Sequence, residues 1–223
     1  GATPMFVDCN KENIDFDYED LERKISKKTK AIIPVYLWGC SYDIDKLQRF
    51  AKQHGISIIE DACQAFGSKW DNKFLGTYGT FGCFSMINGK ILATGEGGFI
   101  ITDNDELADR CRLLRNHCTN IQNPAKSFTE ISWNYRITEM QALVGISNLK
   151  EIENKLKIRK KQTQYLYENL CKEHQLEVYK YYEKEESNYF SPVFIARGKK
   201  KGIQIAKQLS ANGIVNSTGT FGL

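Results

Sequence analysis

Short apolar runs alternate with amphipathic stretches along the first half of the chain. Near-continuous apolar runs at 30–39 and 56–62 predict strands that are buried on both faces, and the run at 3–8 predicts another strand. Residues 17–26 and 43–55 have the spacing of amphipathic helices. Strands and helices in quick alternation are typical of βαβ units, so this half is expected to form an α/β layer with parallel strands.

Capping signals define the ends of the predicted helices. Asp43 is expected to cap the second helix and Gly55 to end it. Two more strands are predicted at 80–86 and 97–103, followed by a helix that begins after Asn104. The last two strands flank a glycine-rich loop.

The pattern changes after residue 137. Thr138 and Gln141 form a T-x-x-Q capping box, and a helical periodicity then continues to Cys171, which predicts one long helix. The elements predicted beyond it are two strands, a helix and the start of a strand, at 176–182, 189–196, 199–213 and 214–223.

The change of pattern divides the chain into two parts. Residues 1–150 are expected to belong to a large α/β domain that includes the start of the long helix. Residues 151–223 are expected to belong to a smaller α+β domain.

Composition is that of a globular protein, with 41% hydrophobic and 26% charged residues in 223 and a net charge of +4. The lysine-rich runs at 155–161 and 199–201 fit a solvated helix face and a polar turn better than a nucleic-acid site. No stretch reaches the ~18 apolar residues that a membrane span needs.

Cysteine usage argues against a disulfide framework and against a metal site. The seven cysteines are an odd number without a C-x-x-C pair, and there are only three histidines. Free thiols and a cytoplasmic location are therefore expected. His117 beside Cys118 is the one Cys–His pair that suggests a nucleophile, but neighbouring residues of a helix point about 100° apart.

Polar residues concentrate where the strand at 56–62 ends. Glu60, Asp61 and Gln64 lie at its carboxyl end, which is the ligand-binding edge of open α/β sheets. A carboxylate in such a place needs a partner, because an unpaired buried charge is costly. The alternative, that Asp61 only caps the following turn, has about equal weight.

Lys90 lies between two predicted strands and is followed by the GEGG segment 95–98. Taken alone, it would be an ordinary loop lysine. An acid that pairs with a pyridinium nitrogen and a lysine that forms a Schiff base are, however, the two groups that a pyridoxal phosphate (PLP) enzyme needs. Side chains of a type that suits its phosphate are Ser85, Asn134 and Arg136.

Seven short segments carry further motifs in a fixed order. Residues 58–70 read IIEDACQAFGSKW and residues 76–86 read GTYGTFGCFSM. They resemble the E-D-A-A-Q-A-x-G and G-x-x-G-D-x-x-C-F-S-F motifs of the PLP-dependent sugar aminotransferases called the DegT/DnrJ/EryC1/StrS family. The other similar segments are 1–8, 27–39, 94–102, 113–117 and 133–143.

The resemblance implies a type I PLP-dependent transferase fold, with a mainly parallel sheet in the large domain and a long helix leading to the small one. It also implies that the chain is part of a longer protein. Lys90 matches the Schiff-base lysine and Asp61 the carboxylate on the pyridine nitrogen. Gln64 matches a residue near the phenolic oxygen, Ser85 a phosphate contact, and Asn134 a residue that reaches the neighbouring subunit's cofactor.

The activity implied is transfer of an amino group from an amino acid, with glutamate as the expected donor, to a nucleotide-linked keto-sugar by a homodimer with a shared active site. Two alternatives remain open: a related PLP sugar dehydratase, which has histidine at the position of Lys90, and a catalytically idle homologue that acts as a binding or dimer partner. Met86–Gly89 departs from the family pattern, which has a proline shortly before the lysine.

Overall fold

The computed structural model describes residues 1–10, 13–120, 122–174, 176–196 and 198–216. The strands are β1 (Ala31–Ile32), β2 (Ser57–Asp61), β3 (Lys69–Trp70), β4 (Lys73–Phe74), β5 (Phe81–Ser85), β6 (Gly98–Ile101), β7 (Glu177–Val178), β8 (Glu185–Glu186) and β9 (Phe194–Ile195). The helices are α1 (Tyr18–Lys24), α2 (Ile44–His54), α3 (Asp105–Arg115), α4 (Glu139–Lys150), α5 (Ile152–His174) and α6 (Lys199–Ala211).

The main sheet has the order β1-β2-β5-β6. The first three strands are parallel, and β6 runs antiparallel to β5. Helix α2 connects β1 to β2, as expected for a βαβ unit. The prediction of a mainly parallel sheet in an α/β fold is therefore confirmed.

The predicted helix caps are present. The side chain of Asp43 accepts a hydrogen bond from the backbone of Lys46, and Gly55 ends α2 in the left-handed conformation with φ of 62°. Asn104 caps α3. Thr138 and the side chain of Gln141 form both hydrogen bonds of a capping box at α4.

One predicted element is wrong, and another is interrupted. The run at 3–8 forms no strand, because its backbone pairs with no neighbouring strand among the described residues; only Cys9 bridges Phe16. The long helix is interrupted at Glu151, whose N–H bonds the carbonyl of Asn148 three residues earlier. Asn148 is also held from outside the helix, since its side chain donates to the carbonyl of Ala93 at 2.8 Å.

The run at 30–39 is a strand for only part of its length. Regular pairing stops at Ile32, and a single bridge between Val35 and Asp61 extends the β1–β2 ladder. Pro34 has no N–H for a continuous ladder. A short 3₁₀ turn follows at Leu37–Gly39, within which Trp38 has φ of 59°.

The second half contributes strands to two small sheets. β7 pairs with β9, within the predicted strands at 176–182 and 189–196, and β8 pairs with β3 of the first half. Residues 214–216 have no regular structure, and the rest of the strand predicted at 214–223 lies outside the described residues. The division at residue 150 stays a prediction.

Two apolar clusters support the main sheet. One lies between α1, α2 and the β1–β2 side of the sheet and includes Leu21, Leu47 and Ile58. The other includes Tyr36 and Phe84 and packs behind the carboxyl ends of β2 and β5. The second cluster fixes the edge of the sheet at which the candidate site lies.

Candidate active site

The carboxyl ends of β2 and β5 bring two predicted site residues to one face. Asp61 pairs in register with Cys83, and Ser85 follows two residues later on the same face of β5. Asp61 is half-buried, and its Oδ1 accepts a hydrogen bond of 3.1 Å from the backbone N–H of Cys63. Ser85 Oγ accepts a long hydrogen bond of 3.4 Å from the N–H of Ile87.

Glu60 points to the opposite face and has a structural role that the sequence did not reveal. Its side chain is fully buried and accepts four hydrogen bonds. The donors are the Tyr36 hydroxyl at 2.7 Å and the N–H groups of Gly76, Tyr78 and Gly79 at 2.6, 2.7 and 2.6 Å. These bonds tie the loop before β5 to the end of β2, and so they position Asp61.

The loop that carries Lys90 is closed by backbone hydrogen bonds. Met86 and Gly97 pair at 2.8 Å, as do Asn88 and Gly95, and the N–H of Lys90 bonds the carbonyl of Ile87 at 3.2 Å. The buried side chains of the loop are those of Met86, Ile91, Leu92 and Thr94. The segment is therefore anchored without the proline of the family pattern.

The Cys63 thiol responds to the charges of both Asp61 and Lys90. Burial and a hydrogen bond to Asp61 raise the pKa of this thiol to about 12, while the positive charge of Lys90 opposes that rise. Lys90 itself is half-buried, and its Nζ lies 5.1 Å from the centroid of the Phe190 ring.

Gln64 lies beside this group but uses its side-chain oxygen within the protein. Its Oε1 accepts a hydrogen bond of 2.7 Å from the N–H of Trp38, and its carbonyl accepts one of 2.8 Å from Asn188 Nδ2. The predicted contact of Gln64 with the cofactor's phenolic oxygen stays a prediction.

Asn134 lies on a segment that bridges Asn116 rather than at the ends of β2 and β5. It is exposed, and its Oδ1 accepts a hydrogen bond of 2.9 Å from Arg136 Nε. It forms no hydrogen bond or ion pair with Lys90, Asp61 or Ser85 in the part of the chain that the structure describes. Its predicted role toward a neighbouring subunit stays a prediction.

The order of the motifs agrees with a match to a family model. The model of the DegT/DnrJ/EryC1/StrS aminotransferase family matches residues 1–219. The chain belongs to this family. GDP-perosamine synthase of Caulobacter vibrioides is 38% identical over 161 residues, which is 72% of this chain and 43% of that protein. The chain thus spans less than half the length of the curated relatives it matches.

Solved structures of family members share the fold. DesV of S. venezuelae, in complex with a ketimine intermediate, has a TM-score of 0.87 and 28% identity, over 96% of this chain and 57% of that one. The E. coli GDP-4-keto-6-deoxy-D-mannose-3-dehydratase with bound hydrated PLP has a TM-score of 0.81 and 28% identity, over 94% and 58%. The fold is that of type I PLP-dependent transferases.

The residues of this family member fit a PLP cofactor. Asp61 has one carboxylate oxygen bonded to Cys63 and remains half-exposed, so it can pair with a further cation. Lys90 lies in the closed loop that follows β5, and Ser85 offers a hydroxyl two residues beyond Cys83. An acid and a phosphate contact are thus available on one face, next to the loop that carries the amine.

Residues outside the motifs complete the site. Phe190 and Asn188 lie about 100 positions after Lys90, and no signal in the sequence connects them with it. The structure does not support Cys118 and His117 as a nucleophile and its base. Both lie in a turn with positive φ, where His117 is exposed and the Cys118 thiol contacts Thr129.

No cluster of three or more metal-ligating side chains occurs among the described residues. Within the same residues, no helix combines the length and apolar character needed to cross a membrane. All seven cysteines are free thiols.

Proposed function

We propose that the protein is a PLP-dependent aminotransferase that transfers an amino group from glutamate to a nucleotide-linked keto-sugar. The observation that carries this proposal is the position of Asp61 and Ser85 on one face of the adjacent strands β2 and β5, at the edge where β5 leads into the closed loop that carries Lys90. Membership of the aminotransferase family and similarity to GDP-perosamine synthase support the nucleotide-sugar substrate.

Each residue has a defined part in this proposal. PLP, when bound, supplies the electron sink for amino-group transfer. Lys90 would hold the cofactor covalently and move a proton to and from the reacting carbon through Nζ. Asp61 would pair with the ring nitrogen, Gln64 would lie near the phenolic oxygen, and Ser85 would bind the phosphate.

The assembly proposed is a cytoplasmic homodimer with a shared active site. Asn134 would reach the partner's cofactor, in agreement with its exposed position. The seven free thiols favour a reducing compartment.

The proposal is tested by the absorption spectrum of the purified protein with PLP. Wild type is expected to develop a visible band from the covalently held cofactor, and Lys90→Ala is expected to lose it. Lys150→Ala, which changes an exposed lysine at the end of α4, should keep the band. Absence of the band from the wild type would favour the idle homologue instead.

A sugar dehydratase is the second candidate, because the E. coli 3-dehydratase is among the similar structures. Lys90 favours the aminotransferase, since the dehydratases have histidine at this position. Conversion of glutamate to 2-oxoglutarate coupled to amination of a keto-sugar nucleotide would distinguish the two. Loss of water from the sugar without its amination would support the dehydratase.

A further inference from the structure

A cleft of about 330 Å³ lies between the Lys90 loop and α5. Its lining consists of three cationic and two aliphatic side chains, namely Lys90, Lys155, Arg159, Ile91 and Ile158. The cleft therefore adjoins the lysine that is proposed to react, and most of its polar lining is positively charged.

The lysine-rich run of α5 is not a uniformly solvated face. Lys155 and Arg159 are half-buried one turn apart, whereas Lys157 and Lys160 are exposed. No carboxylate forms an ion pair with Lys90, Lys155 or Arg159 among the described residues. Lys155 and Arg159 keep their charges when Lys90 holds the cofactor, and two cations that share a cleft without an anionic partner favour binding of an anion.

The two cations of α5 are held by neutral acceptors. Lys155 Nζ donates to Asn148 Oδ1 at 2.7 Å, and Arg159 Nη1 donates to the carbonyl of Phe190 at 3.2 Å. Neither bond neutralises the charge, and the guanidinium retains further N–H groups for a ligand. Arg159 thus bonds the backbone of Phe190, the residue whose ring lies next to Lys90 Nζ.

Contacts with neighbouring segments hold the residues that line the cleft in place. Asn188 is only 3% exposed and donates from Nδ2 to the carbonyls of Gln64 and Phe66 at 2.8 and 3.0 Å, which secures the segment that carries Phe190. Helix α5 approaches closely at Gly67, where a Cβ atom would lie 2.7 Å from Leu156 Cδ1. The cations are therefore presented by an ordered framework rather than by a free surface.

We propose that Lys155 and Arg159 form the subsite that binds the carboxylate of the amino donor. This inference rests on the proposed function. A volume of about 330 Å³ lies at the small end of ligand pockets, which favours a small acid over a nucleotide sugar. In an α-amino acid the carboxylate is one carbon from the amine, so its subsite must adjoin the reacting lysine, as this cleft does.

The chemistry of the lining agrees with such a ligand. Arginine binds carboxylates through two parallel N–H groups, and lysine adds a point charge. Ile91 and Ile158 provide an apolar wall for the methylene chain of a dicarboxylic amino acid. No residue in this assignment belongs to the motifs that define the family resemblance except Lys90.

The test is binding of glutarate, a dicarboxylate without an amine, measured by calorimetry on the PLP-loaded protein and on the protein without added PLP. Arg159→Gln and Lys155→Met are each expected to weaken glutarate binding about tenfold or more, since each removes a charge-assisted hydrogen bond. Arg159→Lys should keep part of the affinity. The matched controls, Lys157→Met and Lys160→Gln, lie on the exposed face of the same helix and should bind as wild type does.

Unchanged glutarate affinity in both cleft variants would overturn the proposal, and so would an equal loss in the controls. Loss of pyrophosphate binding with glutarate binding retained would also overturn it, because the cleft would then serve the nucleotide. The cofactor band separates this proposal from the proposed function: Arg159→Gln should keep the visible band that Lys90→Ala loses.

Discussion

Glu60 and Asp61 are consecutive residues of β2 whose side chains point to opposite faces of the sheet. Glu60 is enclosed by four donors, whereas Asp61 is half-exposed on the other face. The two adjacent carboxylates therefore serve different purposes. One carboxylate holds the edge of the sheet together, and the other remains available to a cofactor.

Glu60→Gln is expected to lower the free energy of unfolding by about 2–4 kcal/mol. Each carboxylate oxygen accepts two hydrogen bonds, so an NH₂ group in place of either oxygen faces two donors. Urea unfolding measures the change. Glu168→Gln, at an exposed position of α5, should lie within about 0.5 kcal/mol of wild type, and an equally small loss at Glu60 would contradict the assignment.

Glu185 makes stability depend on pH. Burial raises its pKa to about 7, although the N–H groups of Ser41 and Tyr182 donate to it and oppose the rise. Between about pH 4.5 and 7 the folded state thus binds more protons than the unfolded state, and stability falls as pH rises through this window, by up to about 3 kcal/mol.

The measurement for Glu185 is the free energy of unfolding at intervals from pH 4.5 to 8. Glu185→Gln should flatten the decline, since an amide does not titrate in this range. Glu183→Gln, at a neighbouring exposed position, should keep the slope of wild type. A decline of the same steepness in Glu185→Gln would assign the effect to another group.

At the scale of elements, β5 begins against the loop that Glu60 secures. A Cβ atom at Gly82 would collide with the carbonyl oxygen of Gly76, which is backbone and cannot rotate away. Gly82 is thus required by close approach of two chain segments rather than by a turn. The strand that leads to Ser85 can pack only with glycine at this position.

Gly82→Ala is expected to destabilise the protein by about 3 kcal/mol or more, because the collision is with backbone. Gly202→Ala, in α6, has ordinary contact with Ala196 and should instead stabilise by about 0.5–1 kcal/mol through helix propensity. Thermal unfolding of both variants measures the difference. A shift of the same sign and size for both would contradict the packing argument.

At the scale of the whole molecule, an apolar surface lies on residues 128–149. Its most exposed members, with 60–90% of the side chain accessible, are Ile131, Trp133, Tyr135, Met140, Leu143 and Phe128. Contiguous apolar residues of this kind mark interaction sites in soluble proteins. Because Asn134 lies within it, we propose that a second copy of the chain covers this surface.

Trp133→Ser is expected to weaken dimerisation of the protein at least tenfold, since buried tryptophans dominate interface energies. Sedimentation velocity at several concentrations measures the change. Tyr165→Ser alters an aromatic residue of similar exposure in α5, outside residues 128–149, and should leave the dimer intact. An unchanged dimer in Trp133→Ser would place the interface elsewhere.

Local chemistry alone determined much of this molecule. The caps Asp43, Gly55 and Thr138 are correct because each satisfies backbone groups within a few residues of itself. The parallel strands are correct, although β2 is fully buried on one face only, at Ile58 and Glu60, and is exposed or half-buried on the other. Motif order identified the family, and with it Lys90 and Asp61 as candidates.

Only the tertiary structure decided what depends on distant partners. A run at 3–8 with the composition of a strand is not one, since no neighbouring strand pairs with it among the described residues. The helix is broken at Glu151, where Asn148 bonds the Lys90 loop. Phe190 and Arg159, which are neighbours of Lys90, come from segments about 70 to 100 residues further along the chain. Their approach to Lys90 depends on packing, which leaves no periodic signal in the sequence.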